Sequence, residues 1–119
     1  MLVVGNTYVY YCAWVKSPHD KIGFCVCAAR NWVFWFNKAP RSHGIGQMPV
    51  APDEFRPVLT IPSWLDLSSV KAMDDSEIRR AADRGPLPAA LRARVMAELG
   101  VSNRLLPAAH QAIALANLR

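Results

Sequence analysis

The aromatic residues of this chain are confined to its first half, and this distribution limits the folds that it can adopt. All eleven Trp, Tyr and Phe residues lie at or before Trp64, whereas twelve of the seventeen alanines follow that residue. Aromatic side chains favour the half-buried surface of a pleated sheet, and alanine has the highest helix propensity. The distribution therefore predicts an α+β chain in which strands come first and helices follow.

Length and composition narrow the class of protein. The 119 residues predict a single domain, with a β part over 1–67 and a helical part over 68–119. A hydrophobic content of 52% excludes a disordered tail. The apolar runs are shorter than the roughly 20 residues of a transmembrane helix, so we expect no membrane association. Three cysteines, an odd number, in a chain without a signal-peptide pattern favour the reducing cytoplasm.

Short strands are predicted throughout the first half. Apolar or alternating segments are separated by turn residues such as those of 17–20 and by a Pro- and Gly-rich loop over 38–52, in which one short strand at 47–50 is an option. Five or six closely spaced strands predict a small antiparallel barrel or a strongly bent sheet. The segments interpreted as strands are 8–13, 21–29, 32–36, 47–50 and 57–61.

Three helices are predicted in the second half. Asp74 followed by Glu77 has the pattern of a capping box and predicts a helix over 75–83. A second helix begins near Pro88, and a third begins near Pro107. The second helix carries an apolar stripe that we expect to pack on the open end of the sheet, formed by Leu87, Leu91, Val95 and Leu99.

The sequence lacks the spacing of a metal site or a nucleotide-binding loop. Cys25 and Cys27 fall on one strand face with Cys12 on a neighbouring strand, which is typical of buried free thiols rather than of zinc ligands. The segment 44–47 resembles part of a Gly-rich phosphate loop, but Pro49 stands where its third glycine is required. We therefore predict no metal and no cofactor.

The charge of the chain indicates an anionic partner. The formal net charge is +5 and the pI is near 9.5, which favours nucleic acid. His19 and His43 lie in predicted loops beside cations, where a histidine can act as a general acid or contact a phosphate. The alternative for each is an ordinary solvated loop residue. Trp32 and Trp35 fall on opposite strand faces, so one of them is a candidate platform for base stacking, with core packing as the alternative.

The order of these segments resembles that of the MazF/PemK/Kid toxins of bacterial toxin–antitoxin systems, over about residues 1–99. The similarity is carried by an opening strand with Gly5, a polar loop with a cation at His19-Asp20-Lys21 and a strand ending at Asn37-Lys38. It continues through Ser63-Trp64-Leu65-Asp66-Leu67 and the Gly85-Pro86-Leu87 turn. The family's Gly-x-Arg-Pro loop is replaced here by residues 17–21, so that His19 or Lys21 takes the place of the arginine.

The resemblance implies an SH3-like barrel followed by helices, and a metal-independent endoribonuclease that is neutralised by a cognate antitoxin. Attack of a ribose 2′-hydroxyl on the adjacent phosphate requires a base, an acid and cations. His19, Lys21, Arg41 and His43 are the candidate catalytic residues, and Asn37, Lys38 and Ser42 are the candidate RNA contacts. Two alternatives stay open, a non-catalytic toxin or regulator that inhibits a cellular protein by direct binding, and a structural phage protein. A homodimer is open as well.

Overall fold

Seven strands, three helices and a 3₁₀ turn at Pro52–Glu54 make up the chain, and the computed structural model describes residues 1–119. The strands are β1 (Asn6–Cys12), β2 (His19–Cys27), β3 (Trp32–Asn37), β4 (Gln47–Val50), β5 (Ser63–Asp66), β6 (Lys71–Ala72) and β7 (Ala82–Pro86). The helices are α1 (Asp75–Arg80), α2 (Ala89–Gly100) and α3 (Ala108–Leu118).

All the strands belong to one antiparallel sheet. Its order is β4-β5-β3-β2-β1-β7, and β6 pairs with β3 off this path. The predicted α+β class, the antiparallel sheet and the C-terminal helices are confirmed. Of the two predicted forms of the sheet, the closed SH3-like barrel is not formed, because β4 and β7 remain as separate edges.

The sheet is apolar on both faces, which explains why its strands alternate so weakly. Along β2 and β3, Phe24 and Phe34 belong to a cluster of 17 buried residues, to which α2 and α3 contribute. Their neighbours Cys25 and Trp35 belong to a second cluster of 8 buried residues on the other face. Because successive side chains of a strand point to opposite faces of the sheet, they enter two separate cores.

The stripe on α2 is buried as predicted, but it packs against one face of the sheet rather than on an open end. Leu91, Val95 and Leu99 are buried in the larger cluster together with Leu87. The three cysteines are free and buried, as predicted. The length and hydropathy needed to cross a membrane are not found in any of the helices.

Two segments differ from the prediction because of pairing between distant strands. The helix predicted over 75–83 ends at Arg80, since the residues that follow form β7, where Asp83 pairs with Tyr8 of β1. The sheet therefore extends beyond residue 67. The strand predicted over 57–61 is instead irregular, and Ser63–Asp66 forms the strand between β3 and β4.

Candidate functional site

A cavity of about 190 Å³ opens where β2 begins and β3 ends. The two strands are antiparallel, and Ile22 pairs with Phe36, so the start of one strand lies beside the end of the other. The segment 58–61 closes the other side of the cavity. The polar residues that line it are His19, Asp20, Lys21, Asn37, Lys38, Thr60 and Ser63.

Lys21 connects the cavity to the second core. Its side chain is only 8% exposed, its Nζ donates a hydrogen bond of 2.8 Å to Asn37 Oδ1, and the same Nζ lies 4.3 Å from the centre of the Trp35 ring. Burial lowers the pKa of Lys21, and the nearby charges of Lys71 and Arg41 lower it further. An anion bound beside Lys21 would counteract these effects.

Lys71 forms the second cation of this site. It lies on β6 opposite Val33, its Nζ donates to Ser69 Oγ at 2.9 Å, and it lies 5.3 Å from the centre of the same Trp35 ring. Burial lowers its pKa, and Arg41 contributes to the lowering. We call Lys21, Arg41 and Lys71 the cationic cluster.

Asp66 is the carboxylate that opposes the cationic cluster. Its charge raises the pKa of both lysines, but not enough to cancel the lowering. The pairing of β4 with β5 fixes its position, because Gln47 Nε2 donates to Asp66 Oδ1 at 2.7 Å. The same oxygen accepts hydrogen bonds from the backbone N–H and the hydroxyl of Ser68. One carboxylate faces three cations, so the cluster keeps a net positive charge.

His19 lines the cavity and uses one of its two ring nitrogens in a hydrogen bond. Its Nδ1 is hydrogen-bonded to the carbonyl oxygen of Ser17. A carbonyl can only accept, so Nδ1 carries the proton, and Nε2 of the neutral ring has its lone pair available. His19 is exposed and therefore accessible to a ligand in the cavity. This arrangement suits a general base.

Arg41, Ser42 and His43 lie in the exposed loop between β3 and β4, outside the lining of the cavity. The His43 Nδ1 accepts a hydrogen bond of 3.0 Å from the backbone N–H of Ile45, so the neutral ring carries its proton on Nε2. The structure thus gathers His19, Lys21, Asn37 and Lys38 around one cavity. Arg41, Ser42 and His43 do not line the cavity. The charge of Arg41 nevertheless lowers the pKa of Lys21.

Two residues of this region were not singled out from the sequence. Lys71 falls in the part of the chain assigned to helices, and only the pairing of β6 with β3 brings it to Trp35. Trp14 follows β1, is 58% exposed and stacks on Trp35 with ring centroids 5.2 Å apart. Of the two candidate stacking platforms, Trp35 is buried and Trp32 is half-buried against His110.

Comparison with protein-family models, with curated proteins and with solved structures gives no match for this chain.

Proposed function

We propose that this protein is the toxin of a bacterial toxin–antitoxin system and acts as an endoribonuclease. One observation carries the proposal: His19, whose Nε2 has its lone pair available, lines the same cavity as Lys21, the buried member of the cationic cluster. A base next to a cation is what transesterification of RNA requires. The resemblance to the MazF/PemK/Kid toxins supports the same reaction.

The reaction would use the ribose 2′-hydroxyl of the RNA as its nucleophile. His19 Nε2 accepts the hydroxyl proton as the 2′-oxygen attacks the adjacent phosphorus. The bond from phosphorus to the 5′-oxygen of the next nucleotide breaks, and that oxygen takes up a proton. The products are a 2′,3′-cyclic phosphate and a free 5′-hydroxyl.

Lys21 has two roles in this proposal. Its ammonium group stabilises the negative charge that develops on the phosphate. The lowered pKa of Lys21 also makes the ammonium a better donor of the proton that the leaving 5′-oxygen needs. Asn37 holds the lysine in place, and Lys38 contacts the phosphate from the exposed side of the cavity. Arg41 attracts the RNA through its charge.

The proposal includes a cognate antitoxin and a cytoplasmic location. The net positive charge around the cavity is complementary to an acidic segment of an antitoxin, which would block the entry of RNA. RNA is abundant in the cytoplasm, and a reducing compartment keeps the three thiols free.

A cleavage assay tests the proposal. Purified protein is incubated with end-labelled single-stranded RNA, and the products are examined for a 2′,3′-cyclic phosphate. We expect His19→Ala to lose activity by about a hundredfold or more, as for removal of a general base. His43→Ala is the matched control, because it also removes an exposed histidine but lies outside the cavity lining. We expect this control to cleave within a few-fold of the wild type.

Growth of the host provides the second measurement. Expression of the wild type alone should slow growth, co-expression of the antitoxin should restore it, and His19→Ala should be harmless at equal protein levels. Toxicity that persists in His19→Ala while RNA stays intact would contradict the nuclease. Direct inhibition of a cellular protein would then be the better account.

A further inference from the structure

A second cavity, of about 360 Å³, lies where the end of β1 meets α1, and we call it the α1 cavity. Tyr11 and Trp14 line it from the end of β1, and these two large aromatic side chains are 53% and 58% exposed. Trp14 is supported by Trp35, whose ring centroid lies 5.2 Å from its own. The residues contributed by α1 and its N-cap are Asp74, Ser76, Glu77 and Arg80. None of these residues lines the cavity of the candidate site.

The two carboxylates of the α1 cavity have no basic partner. Asp74 Oδ1 accepts the Glu77 N–H at 2.8 Å, and Glu77 Oε1 accepts the Asp74 N–H at 3.0 Å. These bonds close the capping box and use one oxygen of each side chain. The one ion pair of the molecule joins Arg94 to Glu54, so both carboxylates of the cavity remain unpaired. Two carboxylates face one guanidinium, that of Arg80, so the lining keeps a net negative charge.

The second carboxylate oxygen of Glu77 lacks a strong hydrogen-bond donor. Glu77 is only 8% exposed, and its buried Oε2 has no hydrogen-bond partner other than the weak S–H donor of Cys12. A buried charged group without good partners costs free energy. The charge also acts on its surroundings: burial is the main cause of the raised pKa of Tyr10, and the charge of Glu77 raises it further. A cation in the α1 cavity would offset this cost.

The lining favours an organic cation over the other classes of ligand. Its net negative charge repels phosphates, and two carboxylates are too few for a metal site, since no group of three or more His, Cys, Asp or Glu residues with that geometry occurs in the chain. A guanidinium is planar and can stack on an aromatic ring while it pairs with a carboxylate. Trp14, Asp74 and Glu77 offer both contacts within one lining.

We propose that the α1 cavity binds an arginine side chain of a protein partner, with the guanidinium stacked on Trp14 and paired with the carboxylates of Asp74 and Glu77. Trp, Tyr and Arg are the residue types that carry most of the binding energy in protein interfaces, which favours a protein as the source of the guanidinium. The inference does not depend on the proposed nuclease. Tyr11 pairs with Asp20, which lines the cavity of the candidate site, so a segment anchored here lies beside that cavity.

Titration with a short blocked peptide, acetyl-Gly-Arg-Gly-amide, tests this inference. Binding is followed through the indole N–H signals of the four tryptophans in two-dimensional NMR spectra, where the Trp14 signal is the one missing from Trp14→Phe. We expect this signal to shift with a dissociation constant in the millimolar range, as for a single side-chain contact. The matched probes replace arginine by lysine or by citrulline, which has nearly the shape of arginine without its charge. We expect lysine to bind several-fold more weakly and citrulline to give no shift.

Three substitutions that each remove one negative charge locate the bound peptide. Asp74→Asn and Glu77→Gln keep α1 capped, because Asn is a good N-cap and Gln replaces Glu in a capping box. We expect each of them to weaken binding of the arginine peptide by about three- to tenfold. Asp75→Asn is the matched control, since Asp75 is exposed next to Asp74 but does not line the cavity. The control should bind nearly as tightly as the wild type.

The contradicting outcomes are equally specific. No shift of the Trp14 signal, equal affinity for arginine and citrulline, or an equal loss in Asp75→Asn and Asp74→Asn would overturn the inference. Lysine that binds as tightly as arginine would overturn the stacked guanidinium. Because the probe contains no RNA, each of these results leaves the nuclease to be judged by its own cleavage assay.

Discussion

Lys21 is the only lysine or arginine of the chain that is buried, and its ionisation links the candidate site to stability. Its pKa is lower in the folded protein than the usual value of 10.5, with burial as the main cause. Between the folded pKa and 10.5 the unfolded chain binds more protons, so the contribution of Lys21 to the free energy of unfolding rises with pH in that window. Below the folded pKa the destabilising effect of the buried charge is fully present.

Urea denaturation at pH 7 and pH 10 checks this expectation. We compare the free energy of unfolding of Lys21→Met with that of the wild type at each pH. We expect this difference to favour the variant more at pH 7 than at pH 10, because only the wild type carries the buried charge. Lys38→Met is the matched control, since Lys38 is exposed at the end of the neighbouring strand β3. If the difference between wild type and Lys21→Met is the same at both pH values, the explanation by buried charge is wrong.

Single residues of the candidate site differ in how far the sequence could predict them. His19 lies at the start of β2 and Asn37 at the end of β3, and the sequence predicts both strand ends to within about two residues. Their proximity then follows from the antiparallel pairing of the two strands. Lys71 and Trp14 could not be found in this way, because a two-residue strand and a ring stacked across the sheet depend on tertiary packing. The path of the loop that carries His43 is likewise not set by local pattern.

At the scale of elements, α2 holds the larger core against the sheet. Leu91 is 2% exposed and belongs to the cluster of buried residues on that face. We expect Leu91→Ala to lower the free energy of unfolding by about 2–5 kcal/mol, through lost burial and the cavity left behind. Leu105→Ala removes the same atoms at a site that is 41% exposed and should cost less than about 0.5 kcal/mol. Chemical denaturation that gives equal losses for both would contradict this packing.

Elements defined by local chemistry were predictable, and those defined by distant pairing were not. The capping box of α1 is present as expected, with Glu77 N–H donating to Asp74 Oδ1 at 2.8 Å and Asp74 N–H donating to Glu77 Oε1 at 3.0 Å. β7 forms only because β1 has a free edge to pair with. The predicted helix to residue 83 is therefore replaced by a strand from residue 82. The sequence of 82–86 has no pattern that predicts this strand.

The whole molecule consists of one open sheet between two cores, and the sequence indicates this only in part. Strands that are apolar on both faces predict burial on both sides, but they do not say whether a barrel or two separate layers provide it. The structure provides separate layers, with α2 and α3 against one face and Leu2, Met73 and Ile78 of α1 against the other. The two cores share β2 and β3, so we expect them to unfold together.

Thiol labelling measures that cooperativity. Cys12 and Cys25 are fully buried in the smaller cluster, and burial raises the pKa of both thiols, to about 11 for Cys25. Because the thiolate is the reactive form, we expect slow labelling of the native protein and three equivalents only after denaturation. Cys27, which borders a surface cavity, should react first.

Leu91→Ala then tests whether the two faces are coupled. Leu91 lies in the larger cluster, on the face opposite Cys12 and Cys25. If the molecule opens as one unit, each loss of about 1.4 kcal/mol caused by this substitution should speed labelling of Cys12 and Cys25 by about tenfold, when opening and closing are faster than labelling. The loss itself comes from denaturation of the same variant, and Leu105→Ala should leave the labelling rate nearly unchanged. Labelling of Cys12 and Cys25 that is insensitive to Leu91→Ala would mean that the second core opens independently, and the candidate site around Trp35 would then rest on a separately unfolding half of the sheet.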